Sequence, residues 1–170
     1  DINKLVELSN THFRHEVSEL FDIDLVYLEK CIAHGFINQL YSPLSELLSV
    51  AKDESGKVIA WTWAKVGERA VWSTDPILTI SMAHIDMSLS PKARVRIVND
   101  MLDLWERFAH LARTPIICST TMRKEQDAFL KLHARRGYDI RGSFAYKKIE
   151  PVISSSANAL MPRAESHKIL

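Results

Sequence analysis

Strand and helix signals alternate between Thr79 and Ile149, and this order constrains the fold of the chain more than any other feature. Apolar and polar residues alternate along a long strand predicted for about Ile77–Leu89, which gives it one apolar and one polar face. An amphipathic helix follows, and Pro91 suits its first turn. A short apolar strand at Pro115–Thr120 and a helix at Glu125–Arg135 come next. Strands that alternate with helices predict an α/β (α+β) fold.

The first half of the chain carries further element signals. Residues Ile2–Glu7 are predicted to form a short strand, followed by a helix to about Leu20. A second, amphipathic helix is predicted for Asp24–Leu40, where apolar residues recur every three or four positions. The segments Leu47–Ala51 and Lys57–Val66 flank a turn rich in Asp, Ser and Gly, and this pattern predicts a β-hairpin.

The C-terminal end changes in character along its length. A closing hairpin is predicted from strands at Tyr138–Ile140 and Phe144–Ile149. After Pro151 the sequence becomes serine-rich and then loses any clear hydrophobic period. The sequence therefore predicts one domain over residues 1–150 and a C-terminal tail over 151–170. That tail is a candidate docking segment for a protein partner or for another copy of the chain.

Composition limits the kinds of partner that the chain can bind. A hydrophobic content of 46% and a charged content of 25% are typical of an ordinary globular core and surface. The formal net charge of +1 gives no overall attraction for nucleic acid or membranes. No apolar run approaches the roughly 18 residues that a membrane-spanning helix needs. Cys31 and Cys118 are too few for a disulfide framework, which indicates a reducing compartment such as the cytoplasm.

Cations lie at the start of the helix that begins at Pro91, at Lys92, Arg94 and Arg96. A helix N-terminus has unpaired backbone N–H groups and the positive end of the helix dipole, so this junction predicts an anion site. However, no glycine lies between Gly67 and Gly137. A backbone that approaches phosphate closely normally uses glycine. The alternative interpretation is an exposed helix start with solvated charges.

The order of elements resembles that of the GNAT acetyltransferase superfamily, over about Ile2–Ile149. In that family a basic residue and two glycines at the start of the helix bind the pyrophosphate of acetyl-CoA. Alignment on the proline often found there puts Arg94 at the basic position. The two glycine positions then fall on Ile97 and Asn99. The resemblance therefore implies a degenerate, glycine-free coenzyme loop.

A second motif of the same family lies around the last helix. The stretch Ala128–Tyr138 is similar to the family pattern of alanine, leucine, tyrosine and a glycine–aromatic pair, with His133 in place of the tyrosine. That tyrosine protonates the leaving thiolate in many relatives, and a histidine has a pKa suited to the same task. The resemblance thus implies His133 as the acid. The alternative is a surface histidine near the C-terminal end of a helix dipole.

The resemblance also implies the overall architecture and the remaining parts of the site. The fold would be a mixed central sheet of about six to seven strands flanked by about four helices. Acetyl-CoA would be the cofactor, its phosphates held by Lys92, Arg94 and Arg96, and an amine would be the substrate. Backbone donors near Met87 and Ser88 would stabilise the oxyanion.

The base that takes the amine proton is implied to lie on the long strand, at His84 or Asp86. Both belong to the polar face of that strand, two residues apart. The alternative interpretation is that this face meets solvent or makes ordinary polar contacts.

A narrower resemblance is to the GNAT-like internal virion proteins of short-tailed phages, and it rests on the stretch Leu89–Arg94 ahead of the glycine-free helix. It implies a non-catalytic structural component of a virion or other assembly, docked through its tail. A third alternative is a module that binds CoA or another nucleotide without turnover.

Metal and nucleic-acid sites are weakly indicated. His12 and His15 share a helix face but lack a third ligand in a known spacing, so no metal site is predicted. Short basic pairs occur at residues 135–136 and 147–148 without a neighbouring aromatic platform. This pattern weighs against a nucleic-acid partner.

Overall fold

The computed structural model describes residues 2–123, 126–142 and 145–147. The helices and strands of these residues lie within the first of two compact units, which spans Asp1–Ile140; the second spans Arg141–Leu170. Within the described residues no helix is long and apolar enough to cross a membrane. In chain order the elements are α1 Ile2–Glu16, α2 Leu25–Tyr41, β1 Glu46–Lys52, β2 Val58–Glu68, β3 Ile77–Ile85, α3 Pro91–Leu111, β4 Ile116–Ser119 and α4 Asp127–Arg135.

The strands form one mixed sheet in the order β1–β2–β3–β4. The pairs β1–β2 and β2–β3 are antiparallel, whereas β4 pairs with β3 in parallel and α3 is the crossover between them. The parallel pairing runs from Ile77 opposite Ile116 to Ile80 opposite Ser119 and stops there. Residues 81–85 of β3 consequently have a free edge on that side within the described part of the chain. The predicted mixed α/β class is confirmed, with four strands described where six to seven were expected.

Both faces of the sheet are covered, because side chains of β2 alternate between two buried clusters. Trp61 and Trp63 pack beneath α1 and α2, while Ala60 and Ala64 pack beneath α3. Trp105 of α3 is buried on the same face of the sheet as Ala60 and Ala64, where its indole N–H donates to the Thr62 hydroxyl at 3.0 Å. Burial of such aromatic side chains supplies much of the hydrophobic stabilisation. The result is a three-layer arrangement of helices, sheet and helix.

Residues Ile2–Glu7 are helical, so the predicted first strand is wrong. The helix α1 begins at Ile2, and the Ser9-Asn10-Thr11 segment lies inside it rather than at its cap. Its buried stripe includes Leu5, Ser9 and His12. Two of these side chains are polar and are buried through hydrogen bonds, so apolar spacing alone does not reveal the helix.

The long strand β3 ends at Ile85, short of its predicted end at Leu89. Asp86 turns the chain, because its carboxylate accepts from the Ser88 backbone N–H at 2.9 Å and from the Ser88 hydroxyl at 2.6 Å. An aspartate that bonds to the backbone two residues ahead favours a turn over continued pairing. His84 is buried on this strand. The polar face that the alternation predicted therefore consists of a buried hydrogen-bonded histidine and an aspartate that forms a turn.

The closing hairpin is not observed as predicted. Residues Tyr138–Ile140 form no strand, and the backbone N–H of Tyr138 donates to the His133 carbonyl at 3.1 Å, which completes the end of α4. Gly137 adopts a φ of 83° there, as expected of a glycine that ends a helix. The second predicted strand, Phe144–Ile149, falls largely outside the described residues, and so does the tail at 151–170. The predicted second helix, first hairpin, third helix, short strand and last helix are confirmed.

Candidate active site

A cavity of about 570 Å³ opens where β3 and β4 diverge. One wall is the second half of β3, and the opposite wall is the segment 120–123 that follows β4. The first turn of α3 lines it with Pro91 and Arg94, and the C-terminal half of α1 lines it with Phe13 and Glu16. The divergence follows from the end of parallel pairing at Ile80. Ligand sites in α/β sheets commonly lie at the carboxyl ends of such strands.

The start of α3 presents one arginine to this cavity. Ser90 caps the helix by accepting the Ala93 N–H at 3.3 Å, and Pro91 occupies its first turn. The Arg94 Nη1 lies 3.6 Å from the Met87 sulfur, while its buried Nε has no hydrogen-bond partner among the described residues. A buried donor without an acceptor costs about 1–3 kcal/mol. Arg94 therefore lacks an acceptor that a bound anion can supply.

The residues at the two glycine positions of the coenzyme loop do not line the cavity. Ile97 packs against the core beneath α3, and the Asn99 amide donates to the Val95 carbonyl at 2.9 Å. Neither side chain therefore occupies the part of the cavity that Arg94 lines. Lys92 and Arg96 are exposed on the same helix and also lie outside the cavity wall.

His84 is buried in the wall that β3 forms. Its Nδ1 lies 2.9 Å from the Ser9 hydroxyl oxygen, which also accepts from the Trp61 indole N–H at 3.1 Å. Its ring stacks on that of His12 with centroids 4.5 Å apart. Burial above all, with smaller contributions from the neighbouring His12 and Arg123, lowers the pKa of His84 to about 3. His84 is therefore a neutral imidazole at neutral pH.

The end of α1 brings a carboxylate to the cavity. Glu16 forms an ion pair with Arg123, and His12 Nδ1 lies 2.7 Å from the Arg123 Nη2 and 3.1 Å from a carboxylate oxygen of Glu16. The His12 Nε2 lies 2.8 Å from the Ile85 carbonyl, which can only accept, so Nε2 carries the proton. Burial raises the pKa of the Glu16 carboxyl, but His12 and the charge of Arg123 lower it more. Glu16 is accordingly ionised at neutral pH.

Three of these side chains could be considered as metal ligands, since candidate atoms of His12, Glu16 and His84 lie within 4.8 Å of one another. The two imidazole planes are stacked and only 5° apart. The lone pairs of a ring lie in its plane, so parallel rings cannot direct them at one ion. The Arg123 guanidinium already supplies a cation beside Glu16. The cluster is a hydrogen-bonded network whose geometry does not suit a metal.

His133 of α4 lies in the opposite wall and is 2% exposed, so it is not the surface histidine of the alternative interpretation. Its Nδ1 lies 2.9 Å from the Phe129 carbonyl and its Nε2 lies 3.1 Å from the Ser119 hydroxyl. The carbonyl can only accept, so the proton resides on Nδ1 and Nε2 accepts from Ser119. Burial lowers the pKa of His133, although the Phe129 carbonyl opposes this change.

The cavity brings together part of the predicted site. His84, Met87, Arg94 and His133 line it, whereas Asp86, Ser88, Lys92 and Arg96 do not. Asp86 faces a separate recess, where the Lys57 ammonium donates to its carboxylate at 2.6 Å. This hydrogen bond, with others from Ser88, lowers the pKa of Asp86 to about 2.

Sequence reasoning missed Glu16 and Arg123. Glu16 ends the segment His12–Glu16, whose histidines drew attention to metal binding alone. Arg123 follows the carboxyl end of β4. This position in the sequence could have identified it as a site residue, because side chains there lie close to those that follow the neighbouring parallel strand.

Comparison with known proteins agrees with this architecture. No family model and no curated protein sequence matches the chain. Solved structures that are similar include an aminoglycoside 6'-N-acetyltransferase from Acinetobacter haemolyticus, with a TM-score of 0.61 at 14% identity over 87% of this chain and 92% of that one. Glucosamine-6-phosphate N-acetyltransferase from Arabidopsis thaliana gives 0.62 at 10% identity, covering 88% and 95%. A predicted acetyltransferase with acetyl-CoA from Clostridium acetobutylicum gives 0.63 at 16%, covering 87% and 90%.

These similarities extend over most of both chains in every pair. The chain therefore has the fold of the GNAT N-acetyltransferases, as its order of elements and its motifs predicted. At these sequence identities the likeness concerns the fold, and the activity has to be argued from the cavity itself.

Proposed function

We propose that this chain is an acetyl-CoA-dependent N-acetyltransferase that works in the cavity between β3 and β4. The observation that carries the proposal is the buried, unpartnered Nε of Arg94 at the start of α3, beside the point where the parallel strands part. The similarity in fold to N-acetyltransferases supports the same conclusion.

The residues present fit acetyl-CoA. The Arg94 side chain would hold the pyrophosphate, and the exposed Lys92 and Arg96 would add positive charge nearby. Beyond Ile80, the edge of β3 that β4 leaves unpaired offers backbone groups to the amides of the pantetheine arm, apart from the Ile85 carbonyl, which is bonded to His12. The cavity volume of about 570 Å³ lies in the range usual for small-molecule sites.

Two side chains of the protein are proposed to carry the two proton transfers of the reaction. Bound acetyl-CoA supplies a thioester: the amine nitrogen forms a C–N bond as the C–S bond breaks, the amine loses one proton and the sulfur gains one. We assign the proton acceptor to His84 rather than Asp86, because Asp86 is paired with Lys57 outside the cavity. His84 is neutral in the resting state and so has a free capacity for one proton, and its low pKa makes it a weak base.

His133 is the proposed acid. Its Nε2 accepts from Ser119 in the resting state, so it must first take up a proton. The lowered pKa of His133 then favours donation of that proton to the leaving sulfur. The Ser88 N–H is engaged by Asp86, which leaves the backbone at Met87 as the proposed donor to the oxyanion.

The alternative of a non-catalytic phage structural component stays a prediction. Its docking segment, residues 151–170, lies outside the described residues, and the similarity in fold to acetyltransferases does not support it. The same holds for a protein partner or a second copy bound through the tail.

An assay of thiol release tests the proposed function. The full chain is mixed with acetyl-CoA and a panel of primary amines, and free CoA thiol is measured with and without amine. We expect amine-dependent release, which His133→Gln slows by about 10²- to 10⁴-fold because the thiolate loses its acid. Lys131→Gln, an exposed change on the same helix, is the matched control and should retain the wild-type rate. Wild-type protein that releases no thiol with any amine would contradict the proposal.

A further inference from the structure

The part of the cavity that α1 lines contains one ion pair in an apolar setting. The Glu16 carboxylate and the Arg123 guanidinium are in contact, with side chains 15% and 36% exposed. Apolar side chains surround this part of the wall, at Phe13, Val17, Phe21, Ile23 and Met122. The carboxylate is thus largely removed from water, the guanidinium is partly exposed, and both groups line the cavity.

The charge of the lining limits the acceptor. Glu16 is the only carboxylate among the described residues that line the cavity, while Arg94 and Arg123 both contribute positive charge. With Arg94 engaged by the coenzyme, a polycationic acceptor such as an aminoglycoside would meet the Arg123 guanidinium and a single carboxylate that is already paired. This lining therefore disfavours amines that carry several positive charges and no acid.

We propose, on the basis of the function above, that the acceptor is a free α-amino acid with an apolar side chain. Its ammonium would bind Glu16, its carboxylate would bind Arg123 through paired N–H donors, and its side chain would pack against Phe13 and Val17. Insertion of the zwitterion replaces one internal ion pair by two, so neither Glu16 nor Arg123 is left without a partner.

The position of Glu16 agrees with the chemistry. His12 contacts Glu16 at 3.1 Å and stacks on His84, so an ammonium bound at Glu16 lies near the proposed proton acceptor. The ammonium must lose one proton before it reacts, and the neutral amine then forms the C–N bond as the C–S bond breaks and the sulfur takes up a proton. The product, an N-acetyl amino acid, has lost its positive charge and with it the attraction of Glu16, which favours its release.

Acceptor selectivity tests this inference. We compare kcat/KM for leucine, for isopentylamine, which lacks only the carboxylate, and for kanamycin, all at saturating acetyl-CoA. Wild-type protein is expected to prefer leucine over isopentylamine by at least about tenfold, because Arg123 would otherwise have no acid to bind. Arg123→Gln should abolish that preference, Arg123→Lys should restore part of it, and Arg135→Gln, outside the cavity, should leave it unchanged.

A second readout does not depend on turnover. Leucine should raise the melting temperature of the wild-type chain without acetyl-CoA, and Arg123→Gln should abolish this shift. Preference for isopentylamine or kanamycin over leucine would overturn the inference while the proposed acetyl transfer stands. Absence of acetyl-CoA binding would overturn both. An unchanged leucine preference in folded Arg123→Gln protein would also overturn the inference.

Discussion

The Arg94→Ala variant is expected to bind acetyl-CoA about 10- to 100-fold more weakly than the wild type. Arg94 is the arginine of α3 that lines the cavity, and its buried Nε has no acceptor among the described residues. A charge-assisted contact with phosphate would satisfy that donor, and alanine removes the contact entirely. Because the free protein is also relieved of an unpaired buried donor, the variant should be at least as stable as the wild type without ligand. Isothermal titration calorimetry measures the affinity.

Arg96→Ala is the matched control for this variant. Arg96 lies on the same helix and carries the same charge, but it is exposed and does not line the cavity. We expect a reduction in affinity of no more than about threefold, from the long-range charge alone. Equal losses of affinity in the two variants would show that the start of α3 attracts the ligand only through its overall charge.

Acidification from about pH 7 to about pH 5 is expected to lower the free energy of unfolding by about 2 kcal/mol through His84 alone. The pKa of His84 is about 3 in the folded chain, against an ordinary value of 6.5. Below pH 6.5 the His84 imidazole is therefore protonated in the unfolded chain, whereas in the folded chain it becomes protonated only near pH 3. The contribution of His84 to the free energy of unfolding is fully present above about pH 6.5 and is lost progressively as the pH falls. The lowered pKa of His133 acts in the same direction.

Chemical denaturation at the two pH values measures this loss for the wild type and for His84→Asn. The asparagine amide can still bond to Ser9, but it takes up no proton, so its loss on acidification should be smaller by about 2 kcal/mol. Asp86 and Glu16 have lowered pKa values and act at lower pH, which leaves this interval to the histidines. His110→Gln, an exposed change on α3, is the control and should follow the wild type. The same loss in His84→Asn and wild type would contradict the role of His84 burial.

Local sequence patterns were sufficient to predict most of the helices and strands. Ser90 and Pro91 define the start of α3, and the apolar stripe of that helix predicts the face that packs on the sheet. The β1–β2 hairpin follows from alternation around a turn sequence. The helix α1 was misassigned because Ser9 and His12 occupy buried positions through hydrogen bonds to Trp61 and Ile85, which belong to the sheet. Such tertiary bonds leave no local hydrophobic pattern.

The candidate site was only partly accessible from the sequence. Arg94 and His133 were found because each lies in a local motif at the end of a helix. The ion pair of Glu16 with Arg123 joins residues 107 positions apart, and neither residue is marked by a motif. Their proximity depends on how α1 crosses the end of the sheet, which hydrophobic periodicity does not specify.

Calorimetric titration of the wild-type chain with acetyl-CoA tests the central claim most directly, since every proposed role depends on that ligand entering the cavity between β3 and β4. We predict saturable binding of one molecule per chain, with a Kd below about 1 mM, as is usual for enzyme substrates. Absence of binding by folded wild-type protein at about 1 mM acetyl-CoA would contradict the account.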